Sequence, residues 1–159
     1  MIYAIFEDDT SITYGATNER PILFILSVID IETLELNLSA GQDYVEVSDI
    51  LDTNFYKIIW NGSFWELAER VKIESLAAWN KTTITADGVD AATLGPGLPV
   101  GIDIGVYVPA DSGILTDGRI SVTEDSGTFT LTTESPGVYT IDILAQFPYA
   151  PYLAEITAE

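Results

Sequence analysis

Apolar and polar residues alternate along most of this chain, with the two-residue period that is typical of half-buried β-strands. The clearest example lies between Ser126 and Ile156. There Phe129 and Leu131 alternate with threonines, and a second alternating run begins at Tyr139, after a Pro-Gly turn. Because an amphipathic helix would repeat every 3.6 residues instead, this pattern predicts an all-β fold.

One break in the alternation divides the chain into two predicted modules. Residues 1–70 predict a small antiparallel β module, and residues 71–80 predict a short helix or linker because they contain good helix formers. Residues 81–159 contain roughly six or seven short alternating runs separated by turn residues. That spacing indicates an immunoglobulin-like β-sandwich, although the cysteine pair of antibody domains is missing.

Two stretches near the N-terminus depart from simple alternation. Ile22–Ile29 (ILFILSVI) is the most apolar run, and its β-branched residues favour a strand over a buried helix. It is far shorter than the ~20 residues of a membrane span, so we expect no membrane partner. Residues 29–38 also alternate, with a change of parity just before Leu34 that predicts a turn or bulge. Leu34, Leu36 and Leu38 would then share one face of a strand.

Asn61-Gly62 predicts the tightest turn of the chain, because both residues tolerate the positive φ of a type I′ hairpin turn. A two-residue loop would place Trp60 opposite Ser63 and Tyr56 opposite Leu67. Trp60 would lie close to the turn, where a binding role is the alternative to packing. The face predicted to point inward carries Tyr56, Ile58, Trp60, Trp65 and Leu67.

The charge of the chain limits its partners. The formal net charge is −19, with only 6 lysine and arginine residues against 25 acidic residues. Because phosphate binding needs clustered basic residues, we expect no nucleic-acid partner. The acidic start of the chain lacks the basic region of a signal peptide, so we expect synthesis and folding in the cytoplasm.

The chain contains neither cysteine nor histidine, which excludes Cys/His zinc sites, thiolate nucleophiles and Ser-His-Asp triads. Carboxylates are the remaining candidate reactive groups. Asp103 and Asp142 could approach each other as a glycosidase pair would, but so acidic a chain produces chance pairs throughout. We therefore expect no enzymatic activity and no cofactor.

Calcium binding is the stronger hypothesis about the acidic residues, because the loops of a β-sandwich can gather oxygen ligands. The regular D-x-D-x-D-G spacing of a calcium loop does not occur, and Asp-Gly dipeptides are also ordinary turns. Solvated turn residues are therefore the alternative. The weak calcium candidates are Asp87, Asp90, Asp111, Asp117 and Asp125, with Glu124 beside the last of them.

Several segments resemble small virion proteins of tailed bacteriophages that carry a C-terminal immunoglobulin-like domain. MIYAIFED resembles their first strand, and NLSAGQDYVEVSDILDTNFYKIIWNGSFWELAER resembles their next block. ITADGVDAATLGPGLPVG and TLTTESPGVYTIDILAQFPYAPYLAEITAE resemble the C-terminal domain, where an ITADG entry, a PG-x-Y strand and an F-P-Y-x-P corner recur. Residues 17–36 and 109–125 depart from the family pattern.

The resemblance implies a non-enzymatic structural component of the virion, either associated with the tail, fibre or baseplate or decorating the capsid. Its partners would be other virion proteins, including further copies of the chain in a homo-oligomer. The alternative is a glycan-binding or adhesion module that contacts a host or environmental surface. The residues predicted to make contacts are Ile22, Phe24, Ile25, Trp60 and Tyr149.

Overall fold

The computed structural model describes residues 1–8, 18–109 and 119–159. These residues are nearly all β, with one short α-helix, and this confirms the predicted all-β class. They form two compact units. The first unit comprises Met1–Val71 and Phe147–Ala150, and the second comprises Lys72–Gln146 and Pro151–Glu159.

The first unit is built on one antiparallel sheet. Its elements are β1 (Ile2–Glu7), β2 (Glu19–Ser27), α1 (Ile31–Asn37), β3 (Gln42–Val47), β4 (Tyr56–Trp60) and β5 (Trp65–Glu69). The strands pair in the order β3-β1-β2-β4-β5. The central strand is β1, in which Ala4 lies between Ile25 of β2 and Val45 of β3.

The central strand β1 is buried on both faces, because each face has its own apolar layer. Ala4 and Phe6 point into a cluster that also contains residues of β2, β3, β4 and β5. Tyr3 and Ile5 point to the opposite face, where Leu34 of α1 packs on them. Burial on both faces explains why the sequence of β1 is almost continuously apolar.

Residues 31–37 form α1, so the strand predicted for this stretch is wrong. The side chain of Asp30 caps the helix, accepting a hydrogen bond from the backbone N–H of Thr33 at 2.8 Å. The helix turns Leu34 into the core and leaves Leu36 87% exposed. A stretch this short fits a helix and a strand about equally well by apolar pattern alone, and here the cap favours the helix.

The hairpin predicted around Asn61 is present, but its register differs from the prediction by two residues. Trp60 pairs with Trp65 rather than with Ser63. The Oδ1 atom of Asn61 accepts hydrogen bonds from the backbone N–H groups of Ser63 and Phe64, at 3.0 and 3.1 Å. The asparagine side chain thus stabilises a longer turn than the two-residue loop that the Asn-Gly pair predicts.

The shift by two residues preserves the predicted faces of the hairpin, because side chains alternate with a period of two. The larger apolar cluster of the first unit accordingly includes Tyr56, Ile58, Trp65 and Leu67.

The second unit contains two sheets. Its described strands are β6 (Thr83–Ile84), β7 (Ala92–Leu94), β8 (Asp103–Tyr107), β9 (Arg119–Thr123), β10 (Phe129–Leu131), β11 (Gly137–Ile143) and β12 (Tyr152–Ala158). One sheet has the order β6-β12-β11-β8-β9, and the other pairs β10 with β7. All these pairings are antiparallel except that of β6 with β12.

The two sheets of the second unit share an apolar interior. Ile104 of β8 and Ile141 of β11 are fully buried. Val106 of β8 and the β10 residues Phe129 and Leu131 line a common cavity of about 270 Å³. Because inward-facing side chains of both sheets meet there, the architecture of this unit is β-sandwich-like.

Residues 72–80 are an ordered part of the second unit. A 3₁₀ helix spans Ile73–Ser75, where the sequence predicts a short helix or linker. Trp79 packs edge-on against Phe129, with the ring centroids 6.1 Å apart. Its Nε1 donates a hydrogen bond to the hydroxyl of Tyr152 at 3.0 Å. These contacts fix the start of the second unit to its core.

Candidate functional site

The contact residues predicted on β2 lie in different environments. Ile22 is only 5% exposed and packs in the same cluster as Phe6, so it is not available to a partner, contrary to the prediction. Phe24 is 39% exposed, its neighbour Leu23 is 41% exposed, and Ile25 is half-buried against the core. A β-bulge explains this pattern, because Leu23 is an extra residue without a partner in β1.

Among the described residues, one edge of β2 is open, with no strand paired to it, over the second half of the strand. β4 pairs with β2 only at Glu19, Arg20 and Pro21. From Ile22 onward, the described residues give β2 a strand partner on the β1 side alone. Backbone N–H and C=O groups of a strand point alternately to its two sides. The segment Phe24–Ser27 therefore carries backbone groups on its outer edge that no described strand pairs.

Trp60 and Phe64 lie at the end of the β4–β5 hairpin. Trp60 is 38% exposed and Phe64 is 59% exposed. The ring of Trp60 is edge-on to that of Trp65, with centroids 5.4 Å apart, and the guanidinium of Arg20 lies 5.3 Å from the centre of the Trp65 ring. These contacts orient the aromatic rings while leaving part of the Trp60 ring accessible to solvent.

Tyr149 lies in the segment Phe147–Ala150 of the first unit, where it forms a β-bridge with Val71. Its side chain is half-buried. The buried guanidinium of Arg70 lies 5.5 Å from the centre of the Phe147 ring. Burial lowers the pKa of Arg70, but a guanidinium still carries its charge at neutral pH. Tyr149 thus belongs to an ordered corner and retains only part of its surface for contacts.

Two of the calcium candidates, Asp87 and Asp90, stabilise their own turn. Asp87 Oδ1 accepts hydrogen bonds from the backbone N–H groups of Val89 and Asp90, both at 2.8 Å. Asp90 is ion-paired with Lys81 and accepts a hydrogen bond from the backbone N–H of Thr85 at 2.9 Å. The backbone hydrogen bonds lower the pKa of Asp87, and the contact with Lys81 is the main cause that lowers the pKa of Asp90.

Glu124 is buried and organises the loop after β9. Its Oε1 accepts hydrogen bonds from the N–H and hydroxyl of Ser126, at 2.6 and 2.8 Å, and from the N–H of Thr128 at 3.1 Å. Burial alone would raise the pKa of Glu124, but these hydrogen bonds outweigh burial and lower it. The neighbouring candidate Asp125 is exposed.

Those acidic candidates that the structure describes do not form one ligand set. Asp111 and Asp117 lie outside the described residues. Within the part of the chain that the structure describes, no three Asp, Glu, Cys or His side chains come together in a way that could hold a metal ion. Asp87, Asp90 and Asp125 therefore do not form a shared set of metal ligands.

A charged cluster crosses three neighbouring strands of the second unit. Nε of Arg119, on β9, donates a hydrogen bond to Asp142 Oδ1, on β11, at 2.9 Å. The Nη1 of the same guanidinium lies 3.0 Å from Asp103 Oδ2, on β8. Burial alone would lower the pKa of Arg119, and the hydrogen bonds to Asp142 and Asp103 raise it above its ordinary value.

Gly105 makes room for this cluster. A Cβ atom at that position would lie 1.8 Å from Asp142 Oδ1 and 2.1 Å from Arg119 Nε. The cation bridges Asp103 and Asp142, whereas a glycosidase needs two carboxylates facing each other across a substrate cleft. Apolar alternation does not single out Arg119; a glycine within an alternating strand is the signal that could have indicated a close approach there.

Comparison with models of protein families, with curated proteins and with solved structures finds no match for this chain. No helix among the described residues has the length and apolar character needed to cross a membrane.

Proposed function

We propose that this chain is a non-enzymatic structural component of a tailed-phage particle. It is associated with the tail, fibre or baseplate or decorates the capsid, and it acts through contacts with other virion proteins. It is made in the host cytoplasm and resides in the virion. The observation that carries the proposal is the strand order of the second unit, which fits the immunoglobulin-like domain that the resemblance to phage virion proteins implies.

The sheet topology of the second unit supports an immunoglobulin-like assignment. In immunoglobulin domains of the variable type, strands G, F, C and C′ are neighbours in one sheet, and strands B and E pair in the other. The order β12-β11-β8-β9 and the pair β7–β10 reproduce this arrangement in the same sequence order. The short β6 extends the larger sheet by pairing in parallel with β12.

Tyr139 supports the same assignment. It is buried near the start of β11, and its hydroxyl donates a hydrogen bond to the carbonyl oxygen of Ser135 at 2.9 Å. A buried tyrosine near the start of strand F that bonds to the backbone a few residues upstream is the tyrosine corner of immunoglobulin-like sandwiches. Gly137 precedes it at φ 140°, and a Cβ there would lie 2.6 Å from Cγ of Pro109. The PG-x-Y motif therefore has a packing reason.

The exposed apolar side chains support a role in protein contacts. Leu23 and Phe24 are exposed on β2, and Leu144 and Leu153 are exposed in the second unit. Exposed apolar side chains that adjoin each other, as Leu23 and Phe24 do in sequence, are candidate contact points for other proteins.

Gradient-purified particles of the phage that encodes this chain provide the test. An antibody against the chain should detect it in the particle band, and it should stay there after a high-salt wash that removes adsorbed proteins. A soluble phage enzyme made in the same infected cells serves as the control and should be absent from that band. Recovery of the chain only in the soluble fraction contradicts the proposal.

Adhesion to a glycan is a second candidate function, favoured by the exposed rings of Trp60 and Phe64 at the end of one hairpin. Aromatic rings offer a rigid apolar surface with which a sugar ring can make contact. A glycan array probed with the full chain and with Phe64→Ala tests this. Binding that the substitution abolishes supports adhesion, and an array without hits removes it.

A further inference from the structure

The open edge of β2 points to a second copy of this chain as its partner. We propose that Phe24–Ser27 pairs antiparallel with the same segment of a second copy, joining two first-unit sheets across a two-fold axis. This inference deepens the proposed function by naming one partner. It rests on that function only in placing the paired copies within a particle.

The first argument is the lack of protection along this edge. Proteins usually block edge strands with charged side chains, prolines or bulges, because an unprotected edge pairs with other chains. In β2, Pro21 and the bulge at Leu23 protect only the beginning of the strand. From Phe24 to Ser27 the described residues provide neither a partner strand nor any of these devices on the outer edge.

The second argument is the distribution of charge. The chain carries a net charge of −19, so two copies repel each other over most of their surfaces. No charged residue lies between Arg20 and Asp30. Two copies can therefore approach each other along this stretch without bringing carboxylates together, whereas a basic partner would find no acidic group on it.

The third argument is symmetry. In an antiparallel pair about a two-fold axis, each copy presents the same edge to the other, so one strand is complementary to itself. Only a short segment pairs, and small interfaces form weak, concentration-dependent dimers. Within a particle that holds many copies close together, such weak contacts become effective through high local concentration.

Analytical ultracentrifugation of the full-length chain tests the proposal. The wild-type chain should show a concentration-dependent monomer–dimer equilibrium that added salt strengthens, because salt screens the repulsion between the acidic copies. Phe24→Glu should weaken dimerisation about tenfold or more, since it introduces a charge into the paired edge. Leu36→Glu makes the same change of charge at an exposed position on α1 and should leave the equilibrium unchanged.

A second variant and a second readout distinguish a loss of edge pairing from misfolding of the variant. Ser27→Glu changes an exposed residue at the end of the same edge and should also weaken the dimer, with an unchanged circular dichroism spectrum. Amide hydrogen exchange within residues 24–27 should slow as the wild-type concentration rises. A wild-type chain that stays monomeric at every concentration overturns the inference, as does a dimer that neither edge variant weakens.

The two proposals fail in different experiments. A monomeric chain that is nevertheless recovered in particles overturns edge pairing and leaves the virion role intact. A dimer that both edge variants weaken, in a chain absent from particles, supports edge pairing and overturns the virion role.

Discussion

At the residue scale, Gly105 is informative because of the side chain that it lacks. The bare backbone of β8 leaves room for Arg119 to reach Asp142 from the far side of that strand. Glycine is needed here because a side chain would not fit, and not because of an unusual backbone conformation, since Gly105 does not adopt a positive φ. Alternation identifies β8 as a strand, but the ion pair depends on which strands are neighbours.

Gly105→Ala should therefore destabilise the second unit. The new Cβ would displace the side chains of Asp142 and Arg119 and separate their charges, at a cost of about 1–3 kcal/mol in the free energy of unfolding. Urea denaturation of Gly105→Ala, Arg119→Ala and the double variant measures the coupling. In the Arg119→Ala background, the glycine substitution should cost clearly less. Equal costs in both backgrounds would show that the ion pair is not what the methyl group disturbs.

Glu124 gives a pH-dependent contribution to stability. Hydrogen bonds lower its pKa in the folded state relative to the unfolded state, although burial acts in the opposite direction. A lowered folded pKa means that the contribution is complete above the unfolded value of about 4.3 and is lost as the pH falls through the folded value.

The comparison of wild-type chain with Glu124→Gln isolates this contribution. The difference in their free energies of unfolding should be largest near neutral pH and should shrink as the pH falls below about 4. Asp125→Asn removes the neighbouring exposed carboxylate and controls for the change in net charge. A difference that stays constant between neutral and acidic pH contradicts the role assigned to Glu124.

At the scale of single elements, α1 shows where apolar alternation misleads. Leu34, Leu36 and Leu38 alternate with polar residues, as one face of a strand would. The signal for a helix is Asp30, whose side chain can cap a helix beginning at Ile31. With the cap taken into account, Leu34 lies on the buried side of the helix and Leu36 does not. Leu38 follows the helix as its C-cap, in extended conformation, and packs against the same cluster.

The helix predicts different costs for two leucines that a strand would make equivalent. Leu34→Ala should cost about 2–5 kcal/mol in the free energy of unfolding, because it opens a cavity above β1. Leu36→Ala should change that free energy by less than about 0.5 kcal/mol, because its side chain is exposed. Chemical denaturation of both variants measures the contrast. Similar costs for the two substitutions would favour the strand and contradict the helix.

The sequence predicts some features of the β4–β5 hairpin correctly and others not. Its position and its inward face are predictable, because the Asn-Gly signal and the two-residue period are both local. Its register is not, because the side chain of Asn61 forms hydrogen bonds that lengthen the turn. A register error of two residues leaves every face unchanged, so the packing of Trp65 and Leu67 could still be predicted.

At the scale of the whole molecule, the all-β class can be predicted from the sequence, whereas the candidate contact surface depends on pairings between distant segments. Among the described residues, the outer edge of β2 is unpaired from Phe24 onward because β4 pairs with β2 only as far as Pro21, which no local pattern indicates. Ile22 lies on the same apolar run and is nevertheless in the core, because the bulge at Leu23 changes which side chains point inward. The apolar run predicts the strand, but it does not predict which side chains of the strand are exposed.

The carboxylates and the architecture of the second unit bear on function at this scale. Asp103 and Asp142 form ion pairs with Arg119. Asp87, Asp90 and Glu124 accept hydrogen bonds from nearby backbone N–H groups. These carboxylates therefore have structural roles. The proposed immunoglobulin-like domain rests on the strand order of the second unit and on the hydrogen bond from Tyr139 to Ser135, and the resemblance links such a domain to phage virion proteins. Fold alone does not determine function, so the virion role depends on a measurement on particles.

Quantitative mass spectrometry of gradient-purified particles tests that role most directly. The amount of this chain, measured against a structural protein of known copy number, should give the same number of copies per particle in independent preparations and after a high-salt wash. A chain that is absent from the particles, or whose amount varies between preparations and falls with washing, would contradict the proposed role as a structural component.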